Sequence, residues 1–134
     1  MDMDQIMIVA GVGCRKGTRA VDIEAAIKTA FARVGRTISE LRLIATSDAK
    51  RDEPGIAVAA SAIGAPLVLI SQGHLAAAGA GAMTRSERVI ALAGVPSVAE
   101  AAALAAAGPT ARLIAARIAI GPVTCALAET EALP

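Results

Sequence analysis

The chain has 134 residues, 55% of them apolar, with 13 basic and 12 acidic side chains and a formal net charge of +1. Near-neutral charge, with Phe31 as the sole aromatic residue, excludes the bulk electrostatics of nucleic-acid binding and the ring stacking of single-strand sites. This length suits one domain, taken as residues 1–134, that buries a working core.

The opening MDMDQ is acidic where a secretory leader is basic. No run combines the length and unbroken apolar character of a bilayer span. Two cysteines, Cys14 and Cys125, do not make a disulfide framework. A reduced, cytoplasmic protein without membrane or nucleic-acid partners is therefore expected.

In chain order, Met3–Ala10 reads as a buried strand, and the glycines of Gly11–Gly17 read as its exit turn. A helix starts at Thr18 or Arg19, carries Ile23, Ile27, Ala30, Phe31 and Val34 on one face, and stops at Gly35. Leu41–Ser47 is a second strand and Asp48–Glu53 a polar loop. Pro54 suits the first turn of a helix through Ile63 that Gly64 ends. A third strand, PLVLIS, follows from Pro66. Gln72–Met83 reads as a short helix and then a loop, and Thr84–Ala93 as a short helix or irregular segment.

Ser97 and Glu100 stand at the N-cap and third position of an alanine-rich helix, a capping box. ARLIAARIAIG and VTCALAE are two strands, the first presenting Ile114, Ala116, Ile118 and Ile120 on one face. Gly121-Pro122 makes a tight antiparallel connection between them. Alternating strands and helices closed by a hairpin predict an α/β fold: three layers, α/β/α, with a mainly parallel, mixed sheet ending in an antiparallel strand pair.

Three stretches carry candidate chemistry. GVGCRKGT spaces Gly11, Gly13 and Gly17 one residue too widely for a dinucleotide fingerprint, and Lys16 precedes the last glycine where a P-loop lysine follows it. A glycine turn feeding a helix start, with Arg15 and Lys16 beside it, still offers N–H groups and positive charge to an anion. A plain strand-to-helix corner with solvated cations explains the same residues. Cys14, flanked by cations, sits where a thiol pKa falls, but no base stands near it in sequence, and packing of a small side chain in a tight turn is the preferred reading. ATSDAKRDEPG brings Thr46, Ser47, Lys50 and Glu53 to a second strand exit, where open α/β sheets hold ligands. No Cys, His, Asp and Glu spacing indicates a metal, and His74 stands alone.

Taken together and in order, GVGCRKGT, IATSDAKRDEPG and GVPSVAEAAALAAAG resemble the CobE/CbiG C-terminal domain family of cobalamin biosynthesis, with VTCALAE as its closing threonine-containing strand. The resemblance covers nearly the whole chain. It implies a stand-alone protein of the aerobic vitamin B12 route that binds a precorrin or corrinoid polycarboxylate near ring contraction. Other enzymes of that pathway are implied as partners, and no cofactor is expected. The alternative it implies is a cobalt-precorrin-5A hydrolase-like enzyme opening a lactone or removing an acyl fragment, with Cys14 and Glu100 as catalytic candidates. The substrate-binding set it implies is Gly13, Cys14, Arg15, Lys16, Gly17, Thr46, Lys50, Glu53, Ser97, Glu100, Arg117 and Thr124. Arg117 stands where lysine is expected in the family, with the same charge but a different geometry.

Overall fold

A computed structural model describes residues 6–79 and 97–131. Its elements in chain order are β1 (Ile6–Cys14), α1 (Ala20–Arg33), β2 (Leu41–Ser47), α2 (Pro54–Ile63), β3 (Leu67–Ile70), α3 (Gln72–Ala78), α4 (Val98–Ala107), β4 (Arg112–Ile120) and β5 (Val123–Glu131). Single 3-10 turns at Ile38–Glu40 and Asp48–Lys50 flank β2. The expected segments Thr84–Ala93 and the end of Gln72–Met83 lie outside the described residues.

The sheet runs β3-β2-β1-β5-β4. β1 pairs in parallel with β2, as β2 does with β3, whereas β5 runs antiparallel to both β1 and β4. From central β1 the chain steps outward through β2 and β3, then returns on the other side as the β4–β5 hairpin. The order thus reverses at β1.

Alternation along β1 builds two cores. Ile8, Ala10 and Val12 bury toward α1 and α2, with Ile23, Ile27, Phe31 and Ile56. Val9 points the other way, with Ala45, Ile70, Leu75 of α3 and Ala101 and Ala102 of α4. Helices on both faces of the sheet make three layers.

β1 corrects the sequence reading. It extends through Gly11, Gly13 and Cys14, so these glycines belong to a strand and the turn begins only at Arg15. Their role is steric. A Cβ on Gly11 would lie 1.9 Å from the Ala99 carbonyl oxygen of α4 and 2.7 Å from the Ala103 nitrogen. α4 therefore rests on bare strand backbone, and its small alanines allow that approach. β4 departs from the expected alternation as well. Register shifts between Leu113 and Ala115 and between Ala115 and Ile118 turn Ala115, with Ile114, Ile118 and Ile120, toward the α1–α2 core.

At the end of the sheet where β1 begins, ion pairs fasten the layers. Arg36 donates to both oxygens of Glu40 and, through Nη1, to Glu129 of β5 at 3.0 Å. Arg112 of β4 donates to the other Glu129 oxygen through Nε at 2.9 Å. Hydrogen bonds from Arg36 and from the Thr37 backbone lower the Glu40 pKa to about 2. Burial opposes ionisation of Glu129, but its two arginines outweigh that and hold the carboxyl below its ordinary range.

Two outcomes follow for folding. Gly11→Ala loses at least about 2 kcal/mol in chemical denaturation, the cost of overpacking against backbone; Gly73→Ala, where an added Cβ meets nothing within 4 Å, is neutral or gains up to about 1 kcal/mol. Both depressed carboxyl pKa values mean stability is full above the ordinary value of 4.5 and is lost as pH falls toward about 2. Thermal melts across that window show a Glu129→Gln variant that is less stable at neutral pH and falls less steeply in acid.

Candidate functional site

The carboxyl ends of β1 and β2, the order reversal at β1 and the start of α4 share one edge of the sheet, where open α/β sheets form their crevices. Cys14 is the last residue of β1 and pairs with Val123. After it the loop 15–18 is tied down. The Arg15 N–H donates to the Pro122 carbonyl at 3.1 Å, and the Thr18 N–H and hydroxyl both donate to the Arg15 carbonyl. Gly17 adopts φ +78°, a left-handed conformation that glycine takes without strain. Its N–H donates to Glu53 Oε1 at 2.7 Å, bridging to the second loop.

This alters the picture of an open anion cradle: the N–H groups of Arg15, Gly17 and Thr18 already have acceptors. The exposed feature of the loop is its pair of cations, Arg15 and Lys16, both at the surface. Lys50, at the end of the turn after β2, acts electrostatically on Cys14, as does Glu53. The first two predicted stretches therefore do meet. Their backbones also touch, since a Cβ on Gly55 would fall 2.2 Å from the Thr18 carbonyl oxygen.

The thiol is not activated there. Burial raises the Cys14 pKa above its ordinary value of 9.0, and neither Lys50 nor the Thr18 hydroxyl brings it back down, while Glu53 raises it further. A depression by neighbouring cations does not occur, because burial of the sulfur outweighs the one cation that acts on it, Lys50. Cys125, fully buried in β5, is pushed up to about 12 by burial.

Other predicted residues lie beneath or beside this rim. Thr46 is fully buried and its hydroxyl donates to the Val12 carbonyl at 2.6 Å, linking β2 to β1 under the crevice. Thr124 faces Gly13 across the β1–β5 ladder and donates to its carbonyl at 3.3 Å. Ser97 caps α4, accepting the Glu100 N–H at 3.2 Å. Glu100 has no exposed surface, and its carboxylate accepts the Arg117 N–H at 2.8 Å in the irregular stretch of β4. Buried carboxylate and strand irregularity explain each other: the displaced N–H needs an acceptor, and Glu100 supplies it. Arg117 is half-buried on the edge strand, two strands from β1.

The predicted residues thus divide into a loop cluster (Cys14 to Gly17, Lys50, Glu53) and an α4–β4 group (Ser97, Glu100, Arg117), with Gly13 and Thr124 between. Sequence reasoning missed Thr18 and Pro122, which brace the loop; their signal was the glycine before one and the Gly-Pro turn around the other. Among the described residues no cluster of three or more metal-ligating side chains occurs, and no helix is long and apolar enough to cross a membrane. An open groove of about 490 Å³ lies elsewhere, between His74 and Ala77 of α3 and Leu104, Gly108 and Pro109 at the far end of α4.

Comparison with known proteins gives a consistent result. The family described as Cobalamin synthesis G C-terminus matches residues 8–128. Protein CobE from Sinorhizobium sp. is 37% identical over 126 residues, covering 94% of this chain and 82% of that protein. The crystal structure of CobE, a protein from the cobalamin (vitamin B12) biosynthetic pathway, superposes with a TM-score of 0.89 at 32% identity, covering 97% of this chain and 95% of that one. Cobalamin biosynthesis protein chiG from Agrobacterium tumefaciens superposes at 0.70 with 44% identity, covering 91% and 97%.

Thiol alkylation tests the electrostatics of the site. At neutral pH, iodoacetamide labels Cys14 slowly in the native protein, faster in Glu53→Gln and more slowly in Lys50→Ala. Cys125 labels only on unfolding. The rates are read by mass spectrometry between neutral and alkaline pH.

Proposed function

We propose that this chain, which belongs to the Cobalamin synthesis G C-terminus family and is a cobalamin-biosynthesis protein, binds a precorrin or corrinoid intermediate at the crevice over β1 and β2 and hands it on to other enzymes of the pathway. Such intermediates are broad, largely apolar rings fringed with acetate and propionate carboxylates. Their recognition calls for several separated cations beside aliphatic surface, not for one phosphate cradle.

The observation that carries this reading is the tied pair of loops. The Gly17–Glu53 bridge and the contact of Gly55 with Thr18 hold the β1 and β2 exits together, so that Arg15, Lys16 and Lys50 share one rim. Arg117 offers a further cation across the hairpin. A charged hydrogen bond contributes about 1.5–3 kcal/mol when well formed. Three therefore supply about 4.5–9 kcal/mol, and burial of the ring's apolar face adds to this toward the ~8 kcal/mol of micromolar binding. Gly13, Thr46, Ser97 and Thr124 support the rim rather than reach past it.

Binding is favoured over catalysis by what surrounds the two catalytic candidates. Nucleophilic chemistry needs an activated group with a base beside it. The Cys14 pKa is raised and the hydroxyl of Thr18, not a base, lies next to its sulfur. Glu100 is engaged with the Arg117 backbone and reaches no solvent. A carrier that presents its ligand intact requires neither residue to react.

Titration with hydrogenobyrinic acid, followed by the visible spectrum of the ring, tests this directly. The expected result is saturable binding in the micromolar range that weakens with salt. Lys16→Ala and Lys50→Ala each weaken it about tenfold or more, while Arg42→Ala, on the exposed flank of β2, leaves it unchanged. No spectral change at about 50 µM ligand would contradict the reading.

A further inference from the structure

Glu53 has an anomalous position for a residue in a polycarboxylate site. It carries the same charge as the ligand and lies among the cations that would hold it. It is also the N-cap of α2, with φ −94° and ψ 99°, yet its side chain makes no capping hydrogen bond to its own helix. Instead it reaches 36 residues back along the sequence to the N–H of Gly17. That N–H belongs to the loop between β1 and α1 that also carries the exposed Arg15 and Lys16.

We propose that Glu53 is an internal latch: its carboxylate occupies the carboxylate seat at the Gly17 N–H in the empty protein and is displaced by a carboxylate of the ligand. This rests on the reading of the crevice as a site for a carboxylate-fringed ring, and it adds how that site is kept closed.

Three features make the exchange feasible. First, the seat is preformed. Gly17 holds its left-handed conformation, and the bonds from Arg15 to Pro122 and from Thr18 to Arg15 fix the loop independently of Glu53. Second, the frame does not have to move. The tight contact of Gly55 with the Thr18 carbonyl keeps the two loops at constant distance, so that only the Glu53 side chain rotates. Third, the displaced carboxylate stays at the N-terminus of α2, where the helix dipole welcomes negative charge. It turns toward water there, since Pro54 has no N–H and the Ile56 N–H already donates to the Glu53 carbonyl. The latch therefore exchanges one carboxylate for another at the Gly17 N–H, while Glu53 moves into solvent at the helix start.

A carboxylate at the Gly17 seat also keeps the cations of the rim compensated while the crevice is empty. It sets a threshold: a ligand with several carboxylates, held by the other cations at the same time, displaces Glu53 more readily than a small monocarboxylate does. Selection for the ring over abundant small acids follows from that difference.

The test uses the full chain as wild type, Glu53→Gln and Glu53→Ala, with folding checked by thermal melts. Propionate is the minimal probe, followed at the Gly17 amide by proton–nitrogen NMR, and hydrogenobyrinic acid is titrated in parallel. The latch predicts that propionate shifts the Gly17 amide in Glu53→Ala at concentrations about tenfold lower than in wild type, equivalent to ~1.4 kcal/mol. Glu53→Gln, which keeps a neutral acceptor, falls between the two and serves if the alanine variant does not fold. Equal or weaker propionate response in both variants overturns the latch and leaves Glu53 as a fixed brace between loops. If the ring binds wild type and variants with equal affinity, the binding reading stands and the latch fails. If propionate behaves as predicted but no variant binds the ring, the latch stands and the choice of ligand is overturned.

Discussion

Helix α4 can lie directly on the central strand only because Gly11 presents no side chain to it, and much of the molecule is arranged around that contact. A methyl group there would meet the Ala99 carbonyl oxygen and the Ala103 nitrogen, both backbone atoms that cannot step aside. With α4 this close, its first-turn Glu100 is fully buried and takes the Arg117 N–H in the irregular stretch of β4. One missing side chain in β1 thus sets the depth of a helix, the role of a buried carboxylate and the path of the edge strand.

The proposed binding edge depends on the same strand at its other end. β1 delivers Cys14 and the cationic loop to the sheet edge at the point where strand order reverses. β2, locked to β1 through Thr46 and the Val12 carbonyl, delivers Lys50 and Glu53 to the same place. Two short-range constraints, a 2.7 Å hydrogen bond and one glycine contact, then hold the exits as a unit. What the two exits present is positive charge, from Arg15, Lys16 and Lys50, on a tied frame. That suits capture of a large anionic ring and does not resemble the nucleophile–base pairs of a hydrolase. Membership of the cobalamin family and the geometry of the rim point the same way.

Much of this was legible in the sequence wherever a signal is local. Leu41–Ser47 and Pro54–Ile63 emerge with the expected boundaries, because a short apolar run and a proline-to-glycine bracket are complete within a few residues. The buried face of α1 and the antiparallel final pair were readable for the same reason. The misreadings concern partners far away in sequence. Gly11 and Gly13 look like turn residues until α4 and Thr124 are seen against them. The alternation of β4 looks regular until Glu100 is seen to bind its backbone. Ser97 and Glu100 do match a helix-capping pattern, and that local explanation conceals the longer reach of the carboxylate. Cations flank Cys14 in sequence, but adjacency in sequence is not proximity of charge. Burial decides its pKa, and burial is a property of the fold.

The central claim is the location of the ligand. Amide chemical-shift mapping of the full chain with hydrogenobyrinic acid tests it most directly. Perturbed amides are expected to cluster at residues 14–18 and 48–55, on the joined exits of β1 and β2. Perturbations confined to the groove between α3 and α4, around His74 and Leu104, with none at the strand exits, would contradict it.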